Sequence, residues 1–161
     1  MNRAIQAMLR LVLVLGMSLA AQGCEDNLVG RICDLGQTPK PGEVVIASPS
    51  LDCVSRTCLR VPLTRTLPEG AEYPEGNQGL CTAECSSDDE CDRVPESPCK
   101  SGFTCGVANS VGTLCCKKVC ICKDYFLVPE VNEGCDPKNV NNTCCNLEGR
   151  SDNPTLYPAC K

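Results

Sequence analysis

The chain has 161 residues, a net charge of −5 and 17 cysteines, with no histidine, no tryptophan, three tyrosines and two phenylalanines. Without histidine there is no Ser-His or Cys-His nucleophile pair and no imidazole acid or base. A large aromatic core is excluded too, because Tyr73, Phe103, Tyr125, Phe126 and Tyr157 are all the rings there are to bury.

Residues 1–23 read as an export signal. Arg3 and Arg10 give the positive start, and Leu11 to Ala21 the apolar stretch. At 11 residues that stretch is too short to span a bilayer, which needs about 20. No later segment is apolar enough to span, so the mature protein is expected to have no transmembrane helix. Two cuts are open. Ordinary signal peptidase would act after the small residues Ser18–Ala21. The lipoprotein route would cut before Cys24, since Leu19-Ala20-Ala21-Gln22-Gly23-Cys24 resembles a lipobox, with Gln22 the departure. Parity favours the second: lipid on the Cys24 sulfur leaves 16 cysteines, an even number, whereas the ordinary cut leaves 17 and a stray thiol. Acyl chains each add about 0.8 kcal/mol per buried methylene, and two or more make anchoring stable.

The 16 later cysteines are Cys33, Cys53, Cys58, Cys81, Cys85, Cys91, Cys99, Cys105, Cys115, Cys116, Cys120, Cys122, Cys135, Cys144, Cys145 and Cys160. An exported chain matures where thiols oxidise, and these are spread over its whole length instead of gathered in four-ligand clusters. They read as disulfides. The adjacent pairs Cys115–Cys116 and Cys144–Cys145, with Cys120 and Cys122, are the one metal-like spacing, and the bridge reading is preferred over it. Neighbouring cysteines seldom bond to each other, so each adjacent pair is expected to send bridges to two different partners. Connectivity is not legible. The block from Cys81 to Cys122 holds nine cysteines, though, so at least one bridge must leave it, and the mature chain is expected to be one cross-linked unit. Such links, typically about 2–4 kcal/mol each, stand in for a missing core.

Removing residues 1–23 removes two arginines and leaves 13 basic against 20 acidic side chains. A net −7 repels nucleic acid and anionic headgroups, and there is no basic stripe, so no nucleic-acid partner is expected.

Along the mature chain, residues 24–80 form a turn-rich region with lipid at its start, and residues 81–161 a dense, disulfide-rich one. Val44–Ala47 and Thr57–Val61 are expected strands, the second stopped by Pro62. Pro68–Asn77, with two prolines and two glycines, reads as an exposed loop or linker at the soft boundary. Leu114–Val128 carries the best strand signal: Val119, Ile121 and Tyr125 alternate around Cys120 and Cys122, and Lys117, Lys118 and Lys123 supply a solvent face. No 3.6-residue period persists over three turns outside the signal. The expected fold is small, disulfide-rich and mostly β or irregular, with low helix content.

Candidate chemistry is thin. Asp88, Asp89, Glu90 and Asp92 form an acidic knot that reads first as a solvated turn between bridged cysteines. The alternative is a Ca²⁺ loop with Asp88, Glu90 and Asp92 as ligands, but the glycine and final glutamate of an EF-hand are absent. No C-x-x-C exists for redox work. Neither a catalytic site nor a cofactor is expected.

The stretch Cys81-Thr82-Ala83-Glu84-Cys85-Ser86-Ser87-Asp88-Asp89-Glu90-Cys91, then Cys99-Lys100-Ser101-Gly102-Phe103-Thr104-Cys105 and the C-C-x3-C-x-C run ending at Cys122, resembles a module of surface lipoproteins from gliding bacteria. With the lipobox and the cysteine load, the chain is similar to the small cysteine-rich outer-membrane lipoproteins of adventurous (contact-stimulated) gliding motility. The resemblance covers residues 81–124 and implies a non-catalytic component of a gliding or cell-contact apparatus. It implies lipid on Cys24, an outer-membrane location facing periplasm or surface, and other envelope proteins as partners. The alternative is a surface-displayed protease inhibitor or ligand-binding module, with Val54-Ser55-Arg56 or Val94-Pro95-Glu96 as its loop.

Overall fold

The computed structural model describes residues 28–129, 132–153 and 155–160. The signal at 1–23, Cys24 and the acidic pair that follows it lie outside the described residues. Among the described residues six strands are formed: β1 Ile32–Asp34, β2 Val45–Ala47, β3 Thr57–Arg60, β4 Gln78–Thr82, β5 Phe103–Val107 and β6 Lys118–Cys122. Among the described residues helix is confined to two short 3-10 turns, Asp88–Glu90 and Glu133–Cys135. The expected disulfide-rich, β and irregular class is what the chain adopts.

The first four strands make one antiparallel sheet in the order β1-β4-β3-β2. β2 and β3 sit where their β-branched residues put them, within a residue of the expected ranges. β5 and β6 form a second antiparallel ribbon, with Cys105 opposite Cys120. The two sheets meet along the chain that leaves β4. The Thr82 hydroxyl donates to the Cys120 carbonyl at 2.7 Å, and Cys120 N–H donates to the Ala83 carbonyl at 3.0 Å. Leu59, Val61, Leu80, Phe103, Val119, Ile121 and Tyr125 fill the space between them.

β6 departs from its expected two-faced pattern. Val119 and Ile121 are buried, but so are Cys120 and Cys122 on the opposite face. Cys120 bonds Cys91 and Cys122 bonds Cys99, and both line the space toward the larger sheet with Leu59, Leu80 and Phe103, so the face that alternation reserved for solvent is closed. Lys118 is exposed at the start of the strand, and Lys117 and Lys123 flank it, pairing with Glu84 at 2.7 Å and Asp88 at 3.2 Å.

Pro68–Asn77 is exposed over most of its length, yet it is fastened to both sheets through Tyr73. The Tyr73 hydroxyl donates to the Val61 carbonyl at 2.7 Å, and its ring meets Tyr125 edge-on at 5.1 Å. Arg60 lies 4.7 Å from the Tyr73 ring centre and donates to the Gly76 carbonyl at 2.8 Å. Two of the chain's five rings thus secure the loop between the halves. Gly30 is equally constrained. Its φ is +94°, and a Cβ there would come within 2.4 Å of Ser97 Oγ and 2.9 Å of the Phe103 ring, so no other residue fits without displacement.

Candidate functional site

Sixteen cysteines form eight bridges: Cys33–Cys58, Cys53–Cys81, Cys85–Cys105, Cys91–Cys120, Cys99–Cys122, Cys115–Cys144, Cys116–Cys135 and Cys145–Cys160. Their Cα separations run from 5.1 to 6.0 Å, inside the range a disulfide requires. The adjacent pairs fork as expected: Cys115 and Cys116 reach Cys144 and Cys135, and Cys144 and Cys145 reach Cys115 and Cys160. Three bridges leave the Cys81–Cys122 block. The bridges do not tie the chain into one unit, however. None spans Thr82–Glu84, so the loops closed within 33–81 and those within 85–160 are joined there by backbone and packing alone.

Sulfur is also the packing material. Beneath the larger sheet, four of the six buried residues are Cys33, Cys53, Cys58 and Cys81, alongside Leu35 and Val45. In the C-terminal lobe the cluster is Cys115, Cys144 and Leu147, with Cys116 and Cys135 against it. Some sulfurs crowd as metal ligands would: those of Cys33, Cys53 and Cys81 lie within 4.8 Å of one another, as do those of Cys85, Cys91 and Cys120. All six are in disulfides and offer no thiolate.

Asp88–Glu90 form a 3-10 turn between Cys85 and Cys91, and two of the knot's four carboxylates, Asp88 and Glu90, are engaged within the fold. One Asp88 oxygen accepts from Cys105 N–H at 2.7 Å and from the Thr104 hydroxyl at 3.0 Å, while the other faces Lys123. Glu90 accepts from Ser86 N–H at 2.9 Å. Asp88 thus stitches the turn to β5 and Glu90 closes the turn on itself, which favours a structural turn over a Ca²⁺ loop. The Cys105 N–H is the main reason the Asp88 carboxyl is held below its ordinary value, against a smaller cost of burial, with Thr104 and Lys123 helping. A lowered folded-state value means the stitch stabilises the fold above the unfolded carboxyl's range and is lost as pH falls through the folded value. We expect the Cys105 amide proton, followed by NMR during acidification, to titrate with a midpoint below that of a free aspartate. In Asp88→Asn that titration should vanish. A midpoint at or above the free value would mean the contact is not made.

Asp124, 3% exposed, accepts from Lys100 N–H at 2.6 Å and Ser101 N–H at 3.2 Å, fixing the turn that precedes β5. Next to it the Tyr125 phenol is pushed up, first by burial and then by the Asp124 charge. It serves as a donor, to the Glu72 carbonyl. The partly open apolar space between the sheets measures about 10 Å³, room for at most a water, while two wider grooves, one beside Tyr73–Gln78 and one beside Glu133–Asp136, lie open to solvent.

A loop that enters a protease cleft as a strand must be extended and outward-facing. Both candidate loops are closed turns. Arg56 has a left-handed φ of 62°, and its N–H donates back to the Cys53 carbonyl at 3.0 Å. Val94 is buried, and Ser97 N–H closes over its carbonyl at 3.1 Å.

No family model, no curated protein and no solved structure matches this chain. Its chemistry is therefore read from its own residues. Among the described residues no helix is long and apolar enough to cross a membrane.

One residue that composition and spacing did not single out is Arg150, only 1% exposed. Its guanidinium donates to the carbonyls of Asn139, Asn142 and Cys144 and lies 4.7 Å from the Tyr157 ring centre. Among the described residues no carboxylate pairs with it. A buried cation solvated by backbone dipoles organises the lobe after Cys135. Nothing in the local sequence distinguishes this arginine from a surface one.

Proposed function

We propose that the chain is a lipid-anchored, non-catalytic protein of the bacterial outer membrane, serving as a structural or adhesive part of a gliding-motility or cell-contact apparatus. The observation that carries the anchor is the bridge count. The sixteen cysteines after Cys24 are used up in eight mutual bonds, so no described sulfur is left for Cys24 to bond. Acylation is the chemistry that suits a cysteine placed directly after Ala21-Gln22-Gly23 at the end of an export signal. The absence of histidine and the commitment of the Asp88 and Glu90 carboxylates to the fold's own donors support a non-catalytic role. The motility assignment rests on the resemblance of residues 81–124, and a bridged domain that resists shear and proteolysis suits a cell-surface part.

Cys24→Ala should move the protein from the detergent-extracted membrane fraction to the soluble one, and wild-type material should carry the acyl mass on its N-terminal peptide. Normal membrane recovery of the variant would defeat the anchor. In a deletion strain, isolated cells should stop moving and regain movement with the wild-type chain but not with Cys24→Ala. Undiminished movement of the deletion strain would defeat the motility role.

A further inference from the structure

The two most exposed large apolar side chains among the described residues are Leu51 and Val54, each 81% open to solvent. Both sit on the loop between β2 and β3, three residues apart and flanking the buried Cys53. This loop is fastened at every turn. Ser50 N–H donates to the Arg56 carbonyl at 2.7 Å, and the Asp52 carboxylate accepts from Asp34 N–H at 2.9 Å. Ser55 Oγ donates to the Thr82 carbonyl, and the Cys53 sulfur is bonded to Cys81. A rigid loop that holds two apolar groups outward loses little freedom when they are buried elsewhere, the condition for a preformed contact.

The place where the described chain begins bears on what covers them. Gly30 N–H donates to the Cys81 carbonyl at 2.8 Å, so the start of the described chain and the Leu51–Val54 loop are gathered at the same Cys81–Thr82 end of β4. Cys24 lies four residues before Leu28, a reach of at most about 14 Å for an extended chain. A lipid on Cys24 therefore puts a bilayer surface close to this end of the domain. Exposed Arg56 on the same loop would meet headgroup phosphate as they enter the acyl boundary, with exposed Asp52 the opposing charge.

We infer that Leu51 and Val54 are a second membrane contact, seated in the interfacial layer of the leaflet that holds the Cys24 lipid, and that they fix the orientation of the domain on that leaflet. This rests on the anchor proposed above.

The chain has no tryptophan, so Leu51→Trp introduces the only indole. The lipidated full chain carrying it is reconstituted in phosphatidylethanolamine–phosphatidylglycerol vesicles, with Val54→Trp as a second reporter and Val140→Trp, 78% exposed in the C-terminal lobe, as the control. Emission from positions 51 and 54 should shift to the blue and be quenched by lipids brominated near the top of the acyl chain. Position 140 should stay at the aqueous wavelength, unquenched. Vesicle-bound, acylated protein whose positions 51 and 54 remain aqueous would overturn the contact and leave the anchor standing. The same holds if they become shielded only when an envelope protein extract is added, which would mark a protein partner. Protein without acyl mass that fails to float with vesicles would overturn both.

Discussion

Treated with excess phosphine reductant at neutral pH, the domain should lose its amide dispersion and its β signal together, with no folded reduced form. The bridges close loops of 15 to 29 residues, and each restricts the unfolded chain by about 3 to 3.6 kcal/mol. Domains of this size are typically stable by about 5–15 kcal/mol in total, so loss of a few bridges is enough to unfold one. The effect here should exceed that of chain entropy alone. Reduction turns the contents of two of the three cores, Cys33, Cys53, Cys58 and Cys81 in one and Cys115, Cys116, Cys135 and Cys144 in the other, into thiols with no fixed geometry. Survival of well-dispersed amide resonances with all thiols titratable would show that the remaining apolar core suffices by itself.

Arg150→Met should loosen the C-terminal lobe by about 2–4 kcal/mol, because three backbone carbonyls lose charged donors in a place water does not reach. The damage should be local. Cys115–Cys144, Cys116–Cys135 and Cys145–Cys160 still hold the lobe's outline, so the melting temperature should fall little. Hydrogen exchange at Asn153, Tyr157 and Cys160, whose N–H groups close the turns after Arg150, should rise by tens- to hundreds-fold. Arg150→Lys should fail to rescue, since one ammonium has no planar fork to serve three carbonyls at once. Unchanged exchange in Arg150→Met would mean the lobe is held by its bridges alone.

How much of this was readable from residues varied with cause. β2 and β3 announce themselves through Val45, Ile46, Thr57 and Leu59, and β6 through Val119 and Ile121, because β-branched and apolar residues carry local preference. β4 and β5 do not, and each contains a glycine that weakens the local signal. At Gly79 a Cβ would lie 2.8 Å from the Leu59 carbonyl oxygen, and at Gly106 it would run into Val128. Tertiary crowding demands at those positions the residue that local propensity counts against a strand. β1, at three residues, is simply too short to register. The parity of the cysteines and the forking of the adjacent pairs follow from counting and geometry. The pairing depends on which strands come together, so it becomes visible only with the sheets. Arg150 and the docking role of Tyr73 were hidden for the same reason: their partners are backbone carbonyls and a ring remote in sequence.

The unbridged stretch Thr82–Glu84 has a bearing on how this molecule ages outside a cell. Almost every other peptide bond between Cys33 and Cys160 lies inside at least one sulfur-closed ring, the link between Cys144 and Cys145 being the exception. A protease that nicks a surface loop leaves the fragments attached. Only a cut at the seam, or at that one link, sets a piece free, and Thr82 and Ala83 are shielded at 2% and 5% exposure, held to β6 by hydrogen bonds. The Thr82–Ala83 part of the seam is thus closed to enzymes until the two sheets come apart, whereas Glu84 at its end is exposed.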